Sequence, residues 1–348
     1  MNYLSDELLY MANEEAIYNI YIYLIKRNLP TIGQYFGDIV KNLSNTTLRE
    51  NDKYKLTVLK NAIDANLSLA KSKLTAFTIS PNGLTACVFT KPNSSVSVVF
   101  KGTGSGEWVD NGEGLSGICE RNEYITYDKG GNELYRKSYQ CDYASEQQVE
   151  ALNWFVKTAA INGWTPDNEI ILSGHSKGGN KAQFVAINSP LASCCFSFDG
   201  QGFSPEALTM FKERYGLIYE KRRKSVFSLS ADNDYVNVLG ARLMPDENVF
   251  FFRSIGGLHP LEAILGKDAA FYRQSRQGML SKYVEGVSAQ LMKMPPETRE
   301  YATLGVMNVF QKYLGKGTPV NNDKVSLAKT VIGLSIATAQ ILLNLSTS

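Results

Sequence analysis

The segment that most constrains the fold lies at residues 168–180 and has the sequence NEIILSGHSKGGN. Its apolar run predicts a buried strand, GHSKG predicts a tight turn with Ser176 at the tip, and KAQFVAI predicts a helix. Strand, turn and helix in this order are the setting in which G-x-S-x-G forms a nucleophile elbow. Gly174 and Gly178 leave room for a strained turn, and the helix N-terminus favours negative charge near the Ser. A plain glycine-rich turn is the alternative, and the flanking strand and helix argue against it.

Strands and helices alternate on both sides of this segment. Residues 1–72 are predicted to be mainly helical, with a second helix at 52–69, and the chain after residue 259 is predicted to be helical to the end. A helix is predicted at 145–160, and residues 107–143 are predicted to be irregular apart from a hairpin. The other predicted strands are residues 74–80, 84–90, 94–100, 193–198, 225–230 and 248–254. This order predicts a mainly parallel central sheet flanked by helices, with functional groups at the C-terminal ends of the strands.

We divide the chain into three parts: an N-terminal helical region at 1–73, a catalytic core at 74–275, and a C-terminal helical extension at 276–348. The end of the extension, residues 330–348, carries no charged side chain. Its apolar stretch is interrupted by polar residues and falls short of the roughly 20 apolar residues that a spanning helix needs. A packed or amphipathic helix is therefore expected there, with a peripheral membrane contact as the alternative.

Composition narrows the classes of function. The net charge of the 348 residues is +2, which gives no reason to expect a nucleic-acid partner. The N-terminus lacks the basic region of a signal peptide, and the five Cys are an odd number. We therefore expect a cytoplasmic protein with reduced thiols, in which Cys194 and Cys195 pack in a strand. Two His and no C-x-x-C motif argue against a zinc site, and no metal or organic cofactor is expected.

A reactive Ser needs a base to take its proton and an acid to orient that base. The chain offers only His175 and His259 as an imidazole base. His175 lies inside the elbow, where its side chain is expected to point away from the catalytic face. His259 follows the last predicted strand and satisfies the order Ser, acid, His of α/β-hydrolases. His259 is therefore the predicted base.

The acid is expected in the loop after the predicted strand at 225–230. Asp232 and Asp234 both lie in that loop, and we prefer Asp234 because its loop can reach toward His259. Asp232 is the near alternative, and Asp199, one strand earlier, is a third candidate. Each of them is also a residue type that caps turns.

Two N–H groups are needed to bind the oxyanion of an acyl-transfer reaction. One is expected from the backbone of Lys177, the residue after the Ser, and the other from the loop that follows an earlier central strand. That loop contains Gly102, Thr103 and Gly104, and the Thr103 hydroxyl can add a further donor. Its glycines do not match the G-x-G-x-x-G spacing of a dinucleotide site.

Several of these segments together resemble the class 3 lipase branch of the α/β-hydrolases. The closest similarity is to a bacterial lipase-like family within that fold, largely of unassigned function. The segments that carry it are VVFKGT at 98–103, GHSKGGN at 174–180, FDGQGFS at 198–204, DYV at 234–236 and HP at 259–260. The resemblance implies Ser176 as nucleophile, Asp234 as acid, His259 as base, and Thr103 with Lys177 at the oxyanion. Lys177 stands where the fungal lipases carry an apolar residue.

The predicted function is therefore a serine hydrolase that cleaves carboxylic esters through an acyl-enzyme. Its partner would be a small-molecule or lipid ester, phospholipids included. One alternative is a binding or scaffolding protein that keeps the hydrolase fold without turnover. Another is an exported phospholipase effector. A complete set of Ser, acid and His favours the enzyme over the scaffold.

Overall fold

The computed structural model describes residues 3–104 and 108–314. Eight strands form one sheet in the order β1-β2-β3-β6-β7-β8-β9-β10, and β4 pairs with β5 in a separate hairpin. The strands are β1 (Lys73–Ile79), β2 (Thr85–Thr90), β3 (Val96–Phe100), β4 (Glu120–Tyr127), β5 (Glu133–Asp142), β6 (Ile170–His175), β7 (Cys194–Phe198), β8 (Val226–Ala231), β9 (Val249–Phe252) and β10 (Gln274–Ser275). Strands β3, β6, β7, β8 and β9 pair in parallel. At one edge β1 pairs antiparallel with β2 and β2 with β3, and at the other edge β10 pairs antiparallel with β9.

Helices cover both faces of this sheet. They are α1 (Asp6–Ile22), α2 (Phe36–Leu43), α3 (Glu50–Ala65), α4 (Leu67–Ala70), α5 (Trp108–Ser116), α6 (Glu146–Asn162), α7 (Lys177–Asn188), α8 (Pro205–Tyr215), α9 (Leu217–Arg223), α10 (Met279–Met292) and α11 (Pro296–Leu314). Successive residues of a strand point to opposite faces, so Val99 packs in the core under α1 and Val98 packs in the core under α6 and α7. Two apolar cores therefore sandwich the sheet.

The predicted fold class is confirmed: this is an α/β-hydrolase fold with helical extensions at both ends. A mainly parallel sheet lies between helical layers, and the turn from β6 to α7 carries Ser176 at its tip. Every strand predicted in the core is present. Most of the observed strand ends lie within one or two residues of the predicted ends. The C-terminal ends of β3, β6, β7 and β8 meet at one edge, which places the loops after them around Ser176.

Three local predictions were wrong. Residues 107–143 were expected to be irregular apart from a hairpin, but α5 lies among them. The chain beyond residue 259 is not helical throughout, because β10 pairs with β9 before α10 begins. The second N-terminal helix does not run unbroken to residue 69, since α3 ends at Ala65 and α4 starts a new helix after Asn66. The apolar segment at 330–348 lies outside the described residues, and among the described helices none is both long and apolar enough to span a bilayer.

A polar network lies buried between α1 and the sheet. Glu15 is fully buried and accepts hydrogen bonds from the hydroxyls of Ser97 on β3 and Ser173 on β6, the latter at 2.8 Å. Lys91 lies 2.8 Å from the neighbouring carboxylate of Glu14. Burial raises the pKa of Glu15 despite Lys91 and the two hydroxyls. The network fixes the position of α1 across two adjacent central strands.

The cysteines depart in part from expectation. Cys119 and Cys141 form a disulfide across the β4–β5 hairpin, so the prediction of reduced thiols throughout is wrong for this pair. Strand pairing of Glu120 with Asp142 brings the two cysteines side by side. Cys194 and Cys195 lie buried in β7 as free thiols, as predicted.

Candidate active site

The turn between β6 and α7 holds Ser176 in a conformation that L-residues rarely adopt. Its φ and ψ are 59° and −129°, and its N–H donates to the Phe198 carbonyl at 2.8 Å. A Cβ on Gly174 would lie 2.0 Å from the Gly178 carbonyl oxygen, and one on Gly178 would lie 2.1 Å from the Phe100 carbonyl oxygen. Only glycine fits at these two positions, so the motif glycines are explained by close backbone contact.

His259 stands between Ser176 and Asp234. Its Nε2 lies 3.0 Å from Ser176 Oγ, and its Nδ1 lies 2.7 Å from Asp234 Oδ1. An ionised carboxylate can only accept, so the hydrogen is assigned to Nδ1. Nε2 is then left with a lone pair directed at the Ser hydroxyl. The arrangement can move a proton from Ser176 to His259 while Asp234 holds the imidazole in place.

The loop after β8 holds the Asp234 side chain in position for its contact with His259. The side chain is fully buried, and its second oxygen accepts the N–H groups of Val236 at 2.9 Å and Asn237 at 2.6 Å. Backbone N–H donors favour the charged form of a carboxylate. A buried negative charge is thus supported by three donors, one of which is the imidazole of His259.

The other two candidate acids have different partners. Asp232 accepts the hydroxyl of Ser254 at 2.8 Å and its N–H at 3.3 Å. Asp199 accepts the Ala231 N–H at 2.8 Å, and burial together with the charge of Asp234 raises its pKa well above the usual value. Of the three candidates, the structure brings Asp234 to His259.

His175 is placed differently from expectation. It was predicted to point away from the catalytic face, but its ring packs 4.8 Å from the ring of His259. Its Nε2–H donates to the His259 carbonyl at 2.8 Å, and its Nδ1 accepts the Tyr23 hydroxyl at 2.8 Å. Burial, and then the proximity of His259, lowers the pKa of His175 well below its usual value. A neutral His175 therefore links the end of α1 to the backbone of the predicted base.

No local pattern in the sequence predicts the contact between Tyr23 and His175. Tyr23 lies 152 residues before His175, and the Tyr23 side chain reaches it only because α1 packs on the sheet. Sequence reasoning could place His175 beside Ser176, but the direction of its ring depends on that distant contact.

The loop after β3 passes directly against the elbow. A Cβ on Gly102 would lie 3.2 Å from the Ser176 Cβ and 2.7 Å from the His175 carbonyl oxygen. Thr103 follows, and its Oγ1 accepts the Asn111 side-chain amide at 2.9 Å. Lys177 begins α7, where the first N–H groups of a helix have no partner within the helix. The structure thus places the Thr103 loop and the Lys177 backbone next to Ser176.

An apolar cavity of about 330 Å³ lies beside the site. Its walls come from α5, the loop after Asp234, α10 and α11, and they include Leu115, Tyr235, Leu239, Val284 and Met307. The Tyr235 ring also lies 5.6 Å from the His259 ring. Tyr235 is therefore shared between the wall of the cavity and the surroundings of His259.

Three side chains could in principle hold a cation. Donor atoms of His175, Asp199 and His259 lie within 4.8 Å of one another. Both nitrogens of each imidazole already have hydrogen-bond partners, including Ser176 and Tyr23. A cation would have to break these contacts, so the donor set fits proton transfer better than metal binding.

Comparison with known proteins adds a match to a family model described as Mbeg1-like, over residues 130–231. That segment contains the Ser176 turn and ends before Asp234. No curated protein matches the sequence.

Three solved structures are similar to parts of this chain. A mutant form of MDLA from Penicillium cyclopium is 13% identical, with 75% of this chain and 86% of that chain covered and a TM-score of 0.44. The Rhizomucor miehei lipase in its propeptide complex is 10% identical, with 72% and 70% covered and a TM-score of 0.39. A fungal lipase in an inhibitor complex is 10% identical, with 72% and 80% covered and a TM-score of 0.39.

Proposed function

We propose that this protein is a serine hydrolase that cleaves carboxylic esters through an acyl-enzyme. The observation that carries the proposal is the continuous chain from Ser176 Oγ to His259 Nε2 and from His259 Nδ1 to Asp234, with separations of 3.0 and 2.7 Å. A Ser hydroxyl becomes a nucleophile when a base within hydrogen-bond reach removes its proton. The strained backbone of Ser176 holds the hydroxyl at that base.

In the first half of the reaction, Ser176 Oγ attacks the ester carbonyl carbon as His259 Nε2 takes its proton. The imidazolium that forms is stabilised by Asp234, whose other oxygen is held by two N–H groups. When the tetrahedral intermediate collapses, His259 returns the proton to the leaving alkoxide. The alcohol departs, and the acyl group stays on Ser176.

The second half repeats these steps with water as the nucleophile. His259 takes a proton from the water, and the acid is released as Ser176 regains its proton. In both halves the carbonyl oxygen carries negative charge, and the backbone N–H groups of Thr103 and Lys177 are the proposed donors to it. Each such donor is worth about 10²–10³ in kcat in serine hydrolases.

The substrate class is a carboxylic ester with an aliphatic acyl or alkyl part. The support for this is the apolar cavity that begins at Tyr235, beside His259. Burial of each methylene contributes about 0.8 kcal/mol, so an aliphatic chain gains affinity in such a space. The cavity of about 330 Å³ favours one chain of modest length.

Labelling with a fluorophosphonate tests the proposal without a guess about the substrate. We expect wild-type protein to label at one site and Ser176→Ala to lose labelling while keeping the same circular dichroism spectrum. Ser189→Ala, which changes a buried Ser at the end of α7, is the matched control and should label like wild type. Labelling of folded Ser176→Ala would show that the nucleophile is elsewhere.

A further inference from the structure

The side chain of Lys177 is buried although the residue stands at the start of α7, directly after Ser176. Its Nζ lies 2.8 Å from Asp110 Oδ2 on α5, and neither side chain is more than 7% exposed. The ammonium also contacts the Asp110 carbonyl at 3.2 Å and the Ser145 hydroxyl at 3.3 Å. Gly114 makes room for it, because a Cβ there would lie 3.1 Å from the Nζ.

The contacts of Asp110 favour its charged form. Burial alone would raise the pKa of Asp110, but the charge of Lys177 and the N–H of Gln147 outweigh it, so the pKa is lowered. Asp110 also accepts the Ser145 hydroxyl at 3.0 Å and the Gln147 N–H at 3.1 Å. A buried ion pair is a poor source of stability, because removing two charges from water costs about as much as their attraction returns. A positional role explains better why this one is present.

The next residue on α5 reaches the other side of the proposed oxyanion site. Asn111 donates its side-chain amide to Thr103 Oγ1 at 2.9 Å. Two adjacent residues of one helix thus hold Lys177 and Thr103, the two residues whose backbone N–H groups are the proposed donors. The pairing of β3 with β6 brings the β3 loop and the elbow together, and α5 adds one side-chain contact to each of them.

We propose that Asp110 and the Lys177 side chain are positioning residues, and that their ion pair holds α5 against the elbow so that the two oxyanion donors keep their spacing. The proposal rests on the proposed function. In this role the Lys177 ammonium does not contact the substrate. It acts by keeping the backbone N–H groups of Thr103 and Lys177 in position.

The test replaces the side chain and keeps the backbone donor. Lys177→Met removes the cation but retains the N–H and most of the bulk. On p-nitrophenyl butyrate we expect kcat to fall about tenfold, part of the loss of a complete donor, with KM within about twofold of wild type. The inhibition constant of butylboronic acid, which forms a tetrahedral adduct with an active Ser, should rise by the same factor as kcat falls.

Two further variants separate positioning from stability. The double variant Asp110→Asn with Lys177→Met removes both charges of the pair, so neither is left buried without the other, and it should fold like wild type and still show the loss of kcat. Lys91→Met breaks another buried ion pair, with Glu14, at the opposite end of the sheet. It should lower the melting temperature while leaving kcat and boronate affinity unchanged.

The outcomes are distinguishable. If wild type neither labels with fluorophosphonate nor cleaves the ester, the proposed function is wrong and this role is wrong with it. If wild type is active and the folded double variant keeps wild-type kcat and boronate affinity, only the positioning role is wrong. Equal losses in Lys91→Met would also overturn it, because the effect would then be one of general stability.

Discussion

Asp199 and Asp234 are both fully buried near the ends of neighbouring strands, yet they differ in the number of hydrogen bonds that they accept. Asp234 receives three hydrogen bonds, from His259 and from two backbone N–H groups. Asp199 receives the Ala231 N–H on one oxygen, and its other oxygen lies 3.7 Å from the neutral His175. Because N–H donors favour the charged form of a carboxyl, Asp199 has less support for a charge than Asp234, although both are buried.

This difference explains how Asp199 and Asp234 can both be buried at the same edge of the sheet. The charge of Asp234 is one of the causes that raise the pKa of Asp199. Burial, the larger cause, acts in the same direction. Both causes favour the neutral form of Asp199 beside the carboxylate that contacts His259.

The sharpest test of this contrast is Asp234→Asn. The amide cannot stabilise the imidazolium, and it favours the wrong imidazole tautomer, so kcat on p-nitrophenyl butyrate should fall by about 10⁴, as in the serine proteases. The measurement is steady-state turnover, with active-site titration to correct for inactive protein. A loss of less than tenfold would contradict the role proposed for Asp234.

Asp232→Asn should have a much smaller effect, although it is only two residues away. Asp232 accepts from Ser254 on the chain leading to His259, and an Asn oxygen can still accept those bonds. We expect kcat to fall by less than about tenfold, since one weakened hydrogen bond is worth about 1 kcal/mol. A larger loss here than in Asp234→Asn would move the acid role to Asp232.

Asp199→Asn should have the smallest effect on activity. An amide replaces a protonated carboxyl of nearly the same shape and keeps the acceptor for Ala231, so we expect kcat within about twofold of wild type. A loss approaching that of Asp234→Asn would mean that Asp199 is ionised and takes part in the chemistry.

The same variant should change how stability depends on pH. A carboxyl whose pKa is raised in the folded state binds its proton more tightly when folded, so its contribution is greatest at low pH and declines as pH rises above its usual value of 3.8. Asn cannot ionise and lacks this decline. In urea unfolding between about pH 4 and about pH 8, the difference in free energy of unfolding should shift in favour of Asn as pH rises. A shift in favour of Asp would contradict a protonated Asp199.

The sequence predicted the sheet, the elbow and the residues around it because their signals are local. Alternating apolar residues marked the strands, and glycines at 174 and 178 marked the turn. The preference for Asp234 over Asp232 rests on the reach of its loop and on the resemblance to the class 3 lipases. The structure gives it a physical basis, since Asp232 is bound to Ser254 while Asp234 faces His259.

Helix α5 was missed because its composition argues against a helix. Its sequence WVDNGEGLS contains two glycines, which lower helix propensity. In the structure those glycines are contact points: a Cβ on Gly112 would lie 3.0 Å from Leu304, and one on Gly114 would meet Lys177. Tertiary packing outweighs propensity here, and no pattern within nine residues can show that.

The buried carboxylate of Glu15 has a consequence for how the chain is made. Its helix leaves the ribosome well before β6, because the Ser173 hydroxyl that Glu15 needs lies 158 residues later in the chain. At typical rates of about 5–20 residues per second, roughly 8–30 s pass between the synthesis of Glu15 and that of Ser173 on β6. Until then the first helix exposes an apolar face that has no sheet to cover it. Chaperones that bind apolar segments during translation should therefore associate with the N-terminal segment, and release should follow synthesis of β6.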